Sequence, residues 1–274
     1  MKLRSKLTSV ISTLMTVIIT GITVLSLLQA RSLQSESAQE IMKNLTGLHA
    51  YDISAYYQRV QDQAETMATL MGGYENLNPA QRRSSYQDFL HQMLEANKEL
   101  LAVYTVWKPG TIDKLDRENL GVPGAAPDGR FAPMYIRESG NIELSFFKDY
   151  EKVLENLSSH NVVEEPEQRI INGKTAYSVG FRSPVILKRT GEIVGIVGVA
   201  LDLNSSQELV AGIKPYGVGN AALYSNGGHV IAHQAQERIG TLFSSGDSGA
   251  TLGETGIAVI QRSLSDGSPA AFTT

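Results

Sequence analysis

The sequence predicts an α+β protein in which helices come first, antiparallel strands follow, and an apolar helix occupies the N-terminus. Three observations predict this. Leu7 to Ala30 runs twenty-four residues without a charge. Apolar residues then recur at helical spacing as far as Leu70, with no proline among them. From Leu100 onward the pattern changes to short apolar runs separated by turn residues. Helices followed by strands fit an architecture in which the helices cover one face of a sheet.

The uncharged block is long enough to cross a bilayer, since the hydrocarbon core needs about 20 helical residues. Lys2, Arg4 and Lys6 precede it, whereas Arg31 is followed by Glu36 and Glu40. The positive-inside bias then leaves residues 1–6 cytoplasmic, makes 7–30 the transmembrane helix, and exports 31–274. A cleaved signal peptide is the competing reading. Its apolar core is usually shorter, at about 7–15 residues, and Leu28-Gln29-Ala30 is a poor cleavage site.

Beyond the anchor, Leu33, Ile41, Leu45, Leu48, Ile53, Tyr56, Tyr57, Val60, Ala64, Met67 and Leu70 mark a helix from about Ser32 to Leu70. At 1.5 Å per residue it would be roughly 58 Å long, so it must pack on something and has the length to pair with a copy of itself. Gly72-Gly73 ends it. Asn78-Pro79 opens a shorter helix through Leu94, because proline suits a first helical turn. Residues 31–99 thus form a helical region.

Leu100 to Trp107 reads as a buried strand ending at Pro109-Gly110. Further strands are expected at Ala176–Pro184, Ile193–Leu203 and Ala221–Tyr224, with Asn172-Gly173 and Thr190-Gly191 as hairpin turns. The stretch from Asp113 to Glu165 is rich in Gly, Pro, Asp and aromatic residues and reads as irregular. Loops on a rigid sheet commonly carry binding residues. A second unit begins near Pro215-Tyr216-Gly217, with a hairpin through Asn226-Gly227-Gly228 and His229–His233, then a Gly- and Ser-rich loop over 240–256. About sixty residues make a thin core, so the expectation is a second module cut short at Thr274.

Net charge is −4, and hydrophobic residues make up 42% of the chain. Nothing suggests a nucleic-acid partner. The absence of cysteine excludes thiol catalysis and cysteine metal sites. Five histidines form no HExxH pattern, and His229 and His233, four apart on a strand, would lie roughly 13 Å apart, too far to share a metal. No Gly-x-Ser-x-Gly elbow, phosphate-binding loop or dinucleotide fingerprint follows a strand. The chain therefore reads as a non-enzyme with no cofactor and no metal.

Several segments carry a resemblance when taken in order. Asp128-Gly129-Arg130-Phe131-Ala132-Pro133-Met134-Tyr135-Ile136-Arg137, Asp149-Tyr150-Glu151, Glu165-Pro166, Ile171-Asn172-Gly173-Lys174 and Gly195-Ile196-Val197-Gly198-Val199 resemble the extracellular double Cache sensor region of bacterial methyl-accepting chemotaxis proteins. Pro215–Gly219 and Val230–His233 with Ile239-Gly240 resemble the entry to that family's membrane-proximal module. The resemblance implies a long helix carrying two PAS-like modules: a membrane-distal one over 100–212, and the start of a membrane-proximal one over 213–274. It implies a small ligand in the distal module, a homodimer in the inner membrane, and a cytoplasmic chemotaxis kinase and adaptor as partners of a complete receptor.

Family members that recognise amino acids hold the ligand with an arginine, a Trp-Tyr pair and aspartates. Ala132, Met134 and Tyr135 stand at the first three of those positions, Glu167-Gln168-Arg169 replaces a Tyr-x-Asp, and Ala200 replaces the last aspartate. A buried ammonium without a carboxylate costs several kcal/mol, which argues against the usual amino-acid mode. Guanidinium groups grip carboxylates through paired hydrogen bonds. The expectation is thus a polar or anionic small ligand, such as a carboxylate, held by Arg137 or Arg169 between Trp107 and Tyr135. Tyr177 and Asp202 are nearby candidates, and Arg130 and Asp149 are supports of the roof. Each also has a plainer reading: core packing for Trp107, Tyr135 and Tyr177, a solvated charge for Arg137 and Arg169, and a structural acceptor for Asp202. Functionally, the expectation is a transmembrane chemotaxis receptor signalling by helix displacement. The alternative is the input region of a sensor histidine kinase or diguanylate cyclase.

Overall fold

The computed structural model describes residues 2–138, 140–171, 174–217 and 219–243, with side chains described except at 2–5, 169–171, 174 and 175. The chain divides into two units, one containing residues 1–49 and the other Ala50–Ser244. Helix α1 spans Lys2–Met71. Within residues 7–28 its large apolar side chains are exposed. It is the one helix among the described residues long and apolar enough to cross a membrane.

In the second unit, α1 buries Val60, Ala64, Met67, Ala68 and Met71, a stripe spaced by three and four residues. It stops at Gly72, where a Cβ would run into the Ile186 carbonyl. The Asn78 side chain accepts the Ala80 N–H at 3.1 Å and caps a 3-10 turn at Pro79–Gln81, which continues into α2, Arg82–Ala96.

The sheet is antiparallel and larger than the sequence suggests. Its strands are β1 (Leu100–Trp107), β2 (Pro133–Glu138), β3 (Asn141–Phe146), β4 (Val162–Val163), β5 (Glu167–Ile171), β6 (Lys174–Ile186) and β7 (Ile193–Asp202). Their order is β3-β2-β1-β7-β6-β4, with β5 also on β6. The stretch from Asp113 to Glu165, expected to be irregular, in fact holds β2, β3, β4 and a short helix α3, Tyr150–Glu155. The expected turn at Asn172-Gly173 lies outside the described residues. At Thr190-Gly191 the chain does turn, with Gly191 at φ 73°.

All eight residues of β1 are buried, because both faces of the sheet are covered. On one face, Val103, Trp107, Tyr135, Val179, Phe181, Val197, Val199 and Leu201 pack with the apolar sides of α1 and α2. On the other, Ala102, Tyr104, Ala132, Met134, Phe147, Val153, Ile196 and Ala200 form a second core beneath α3. Strand alternation produces this division.

After β7, Asp202 caps α4 (Leu203–Ala211) by accepting the Asn204 N–H at 2.9 Å. The hairpin of β8 (Leu223–Tyr224) and β9 (Val230–Ala232) follows. Gln207 on α4 holds it at both ends of one amide, donating to the His233 carbonyl at 2.8 Å and accepting the His233 N–H at 2.9 Å. Residues 244–274, which include most of the Gly- and Ser-rich loop, lie outside the described residues.

Candidate functional site

A cavity of about 410 Å³ opens on the α3 side of the sheet. Its roof is Asp149, Lys152, Val153 and Asn156 from α3 and its caps, its outer wall is Glu164–Glu167 between β4 and β5, and its floor is Ser178, Gly180 and Arg182 of β6. Residues two apart on a strand share a face, which is why these three β6 positions meet there. Gly180 leaves room for the Glu164 side chain, whose carboxylate lies where a Cβ would be. That carboxylate pairs with Arg182 at 3.0 Å. The walls carry four carboxylates, those of Asp149, Glu164, Glu165 and Glu167, against the cations Lys152 and Arg182.

Deeper under the roof the space is filled. Tyr104 and Phe147 stack with ring centroids 4.1 Å apart and planes 8° from parallel. Gly198 lies directly under the Tyr104 ring, too close for any Cβ. Ala132, Met134 and Ala200, three of the departures from the amino-acid pattern, belong to this same buried cluster.

The residues singled out in the sequence are spread over both faces. Trp107 is fully buried on the helical face, edge-on to Tyr74 with centroids 5.0 Å apart and stacked on Tyr86 at 6.0 Å. Burial pushes the Tyr86 hydroxyl up to about 12. Tyr135 faces the same way, against His91; burial, then the Asp88 charge, raises its pKa. The expected aromatic walls are therefore on the other side of the sheet from the cavity. Arg137 donates to the Leu94 carbonyl and, at 3.4 and 3.5 Å, to those of Asn97 and Leu100. A guanidinium over the last carbonyls of α2 is a helix C-cap.

Asp202 is the α4 cap, and Tyr177 packs with the helical-face core, its ring under Gly240. Arg169 pairs through its backbone with Ala176, and its side chain lies outside the described residues. Arg130 bonds Asp128 rather than Asp149 and stands 4.9 Å over the Tyr150 ring, bracing α3 from outside. Asp149, taken from sequence as a support, is a cavity wall. Lys152, Asn156, Glu164 and Arg182 were not singled out, and Glu165 entered only through the resemblance segment Glu165-Pro166. The signal that could have found them is the acidic run Glu164-Glu165-Pro166-Glu167 ahead of a strand with Gly180 and Arg182 on one face.

The extracellular domain attributed to the histidine kinase mmHK1S-Z2 matches this structure with a TM-score of 0.70 at 24% identity, covering 84% of this chain and 82% of that one. The chain has the fold of sensory Cache domains. A methyl-accepting chemotaxis protein X matches at 0.67 and 20% identity, over 88% of this chain and 85% of that one. The ligand-binding domain of the Pseudomonas fluorescens chemoreceptor CtaA, in complex with L-isoleucine, matches at 0.50 and 16%, over 78% and 75%. No family model and no curated protein matches the sequence. Within the Cache fold, the cavity lies on the sheet face turned away from α1 and α2.

Proposed function

We propose that this chain is the extracytoplasmic sensory part of a membrane-anchored receptor, and that it binds a small organic molecule in the cavity under α3. The observation that carries the reading is the 410 Å³ space between α3 and β6, walled by charged groups on an otherwise apolar sheet face. It is of the size small-molecule sites take. The apolar N-terminal helix and the names of the similar structures support an outward-facing sensor. The receptor feeds a chemotaxis pathway; the 0.70 match to a histidine-kinase domain favours kinase input as the second reading.

The filled space around Tyr104 and Phe147 speaks against an amino acid held in the family's usual manner. The test is thermal denaturation of the protein with amines, amino acids, carboxylates, purines and sugars. A ligand that binds only the folded state adds about 2.7 kcal/mol at a hundredfold excess over Kd. Asn156 is exposed at the cavity mouth, so Asn156→Trp should abolish the shift without unfolding the chain. A shift that survives Asn156→Trp would move the site elsewhere, with a carboxylate ligand pointing back to Arg169.

A further inference from the structure

Glu165 belongs to two places at once. It walls the cavity, and its two oxygens hold the β8–β9 turn: Oε1 accepts the Gly227 N–H at 3.1 Å, and Oε2 lies 3.1 Å from His229 Nδ1. The turn sits so tightly on this carboxylate that a Cβ at Gly227 would approach Oε1 to 2.5 Å. Glu165 stands between β4 and β5 and before Pro166, outside any sheet ladder, so its side chain is free to swing without breaking strand pairing.

The hairpin it holds has strands of two and three residues. An isolated hairpin of that size is at best marginally stable. It depends on its attachments, which include the packing of Leu223, Ile231 and Ile239 in the helical-face core, the Gln207–His233 pair, the Tyr177 ring beneath Gly240, and Glu165. Of these, only Glu165 reaches the cavity. The Glu165–His229 contact is part-exposed, with side chains 45% and 32% accessible, and a hydrogen bond open to water contributes little. Such a contact is readily exchanged for another.

We propose that Glu165 is a latch that couples cavity occupancy to the β8–β9 hairpin. This rests on the cavity being the ligand site. An ionised carboxylate only accepts hydrogen bonds, so the ligand that opens the latch presents an ammonium or other N–H donors. With that donor in place, Glu165 turns into the cavity and releases Gly227 and His229. Occupancy thereby favours the state with a freed hairpin, which is the differential affinity any such coupling needs.

The absence of native cysteine permits a test that needs no knowledge of the natural ligand. In the full chain, Asn156→Cys is labelled with 2-aminoethyl methanethiosulfonate, which tethers an ammonium in the cavity, or with methyl methanethiosulfonate as a neutral control. Hydrogen exchange is then followed for residues 223–233 and, as a folding reference, for 100–107. Lys152→Cys provides a second tether position. The expected result is at least threefold faster hairpin exchange with the aminoethyl tether, no change with methyl, and no change in β1. In Glu165→Gln the hairpin should exchange fast from the start, and the tether should add nothing. Unchanged hairpin exchange in Glu165→Gln would overturn the latch. Fast exchange in Glu165→Gln with no response to either tether would overturn the coupling. Neither result bears on whether the cavity takes a ligand, which the thermal shifts decide separately.

Discussion

Position 180 cannot carry a side chain while Glu164 keeps its place, because the Glu164 carboxylate occupies the Cβ position of Gly180. Gly180→Ala should therefore swing Glu164 away and separate it from Arg182. The atoms in the way are the end of a flexible side chain, so the cost is that of a part-exposed ion pair, about 0.5–1 kcal/mol. Urea midpoints give the number, and Arg182→Ala should cost less in the Gly180→Ala background than in the unmodified chain, by about the same amount; a loss of several kcal/mol from Gly180→Ala would mean Glu164 has nowhere to go. Tyr57 offers a second residue-level test. Its hydroxyl shares a 2.8 Å hydrogen bond with Ser206 Oγ, and burial raises its pKa to about 12. Tyr57→Phe should destabilise by about 1 kcal/mol, and ultraviolet titration should lose one tyrosine from the component that ionises near pH 12. This is also the scale at which the site was hardest to read. Arg137 has the chemistry of an anion ligand, but three carbonyls of residues 94–100 consume it. Which of two uses a guanidinium serves depends on what the fold brings to it, and residue type alone does not tell.

The segment between β1 and β2 is long, and a few charged groups fix it to α2. Arg83 reaches Asp113 at 2.7 Å, Asp116 at 2.6 Å and the Gly129 carbonyl at 2.9 Å. Burial opposes ionisation of Asp113, but the hydrogen bonds from Arg83 and the Leu115 N–H outweigh it, and the carboxyl is held below its usual range. A depressed folded-state pKa means that the stabilisation is complete above the unfolded carboxylate pKa and is lost as pH falls through the folded one. Asp113→Asn should thus lower stability at neutral pH by about 1–3 kcal/mol, and the gap to wild type should close under acid conditions below the ordinary carboxylate range. A gap independent of pH would place the cost in packing. At this scale β1 was legible because both faces are covered, which makes all eight residues apolar or neutral. β2 and β3 were not, since β3 is an edge strand with Asn141 and Glu143 facing solvent, and Pro133 opens β2. Proline, glycine and charge at a sheet edge look like loop until a neighbouring strand is known.

At the scale of the whole molecule, solvent sets the strongest constraint, and the proposed anchor rests on length and charge alone. No partner residue is needed to see that an uncharged helix over 7–30 satisfies its own backbone hydrogen bonds in lipid. The cavity, by contrast, needs α3, the β4–β5 connection and β6 to be assembled, and those segments are up to 33 residues apart in the chain, from Asp149 to Arg182. The outward-facing reading makes one prediction that belongs to the molecule rather than to any element. The three cations Lys2, Arg4 and Lys6 precede the apolar block, and orientation follows such a bias over short flanks. An alkaline phosphatase fused after residue 72 should be active, a β-galactosidase fused there inactive, and replacing Lys2, Arg4 and Lys6 with glutamate should lower the phosphatase signal severalfold. The reverse reporter pattern in the unmodified chain would put the sheet, the cavity and the Glu165 latch in the cytoplasm, where an extracytoplasmic sensor has no use for them.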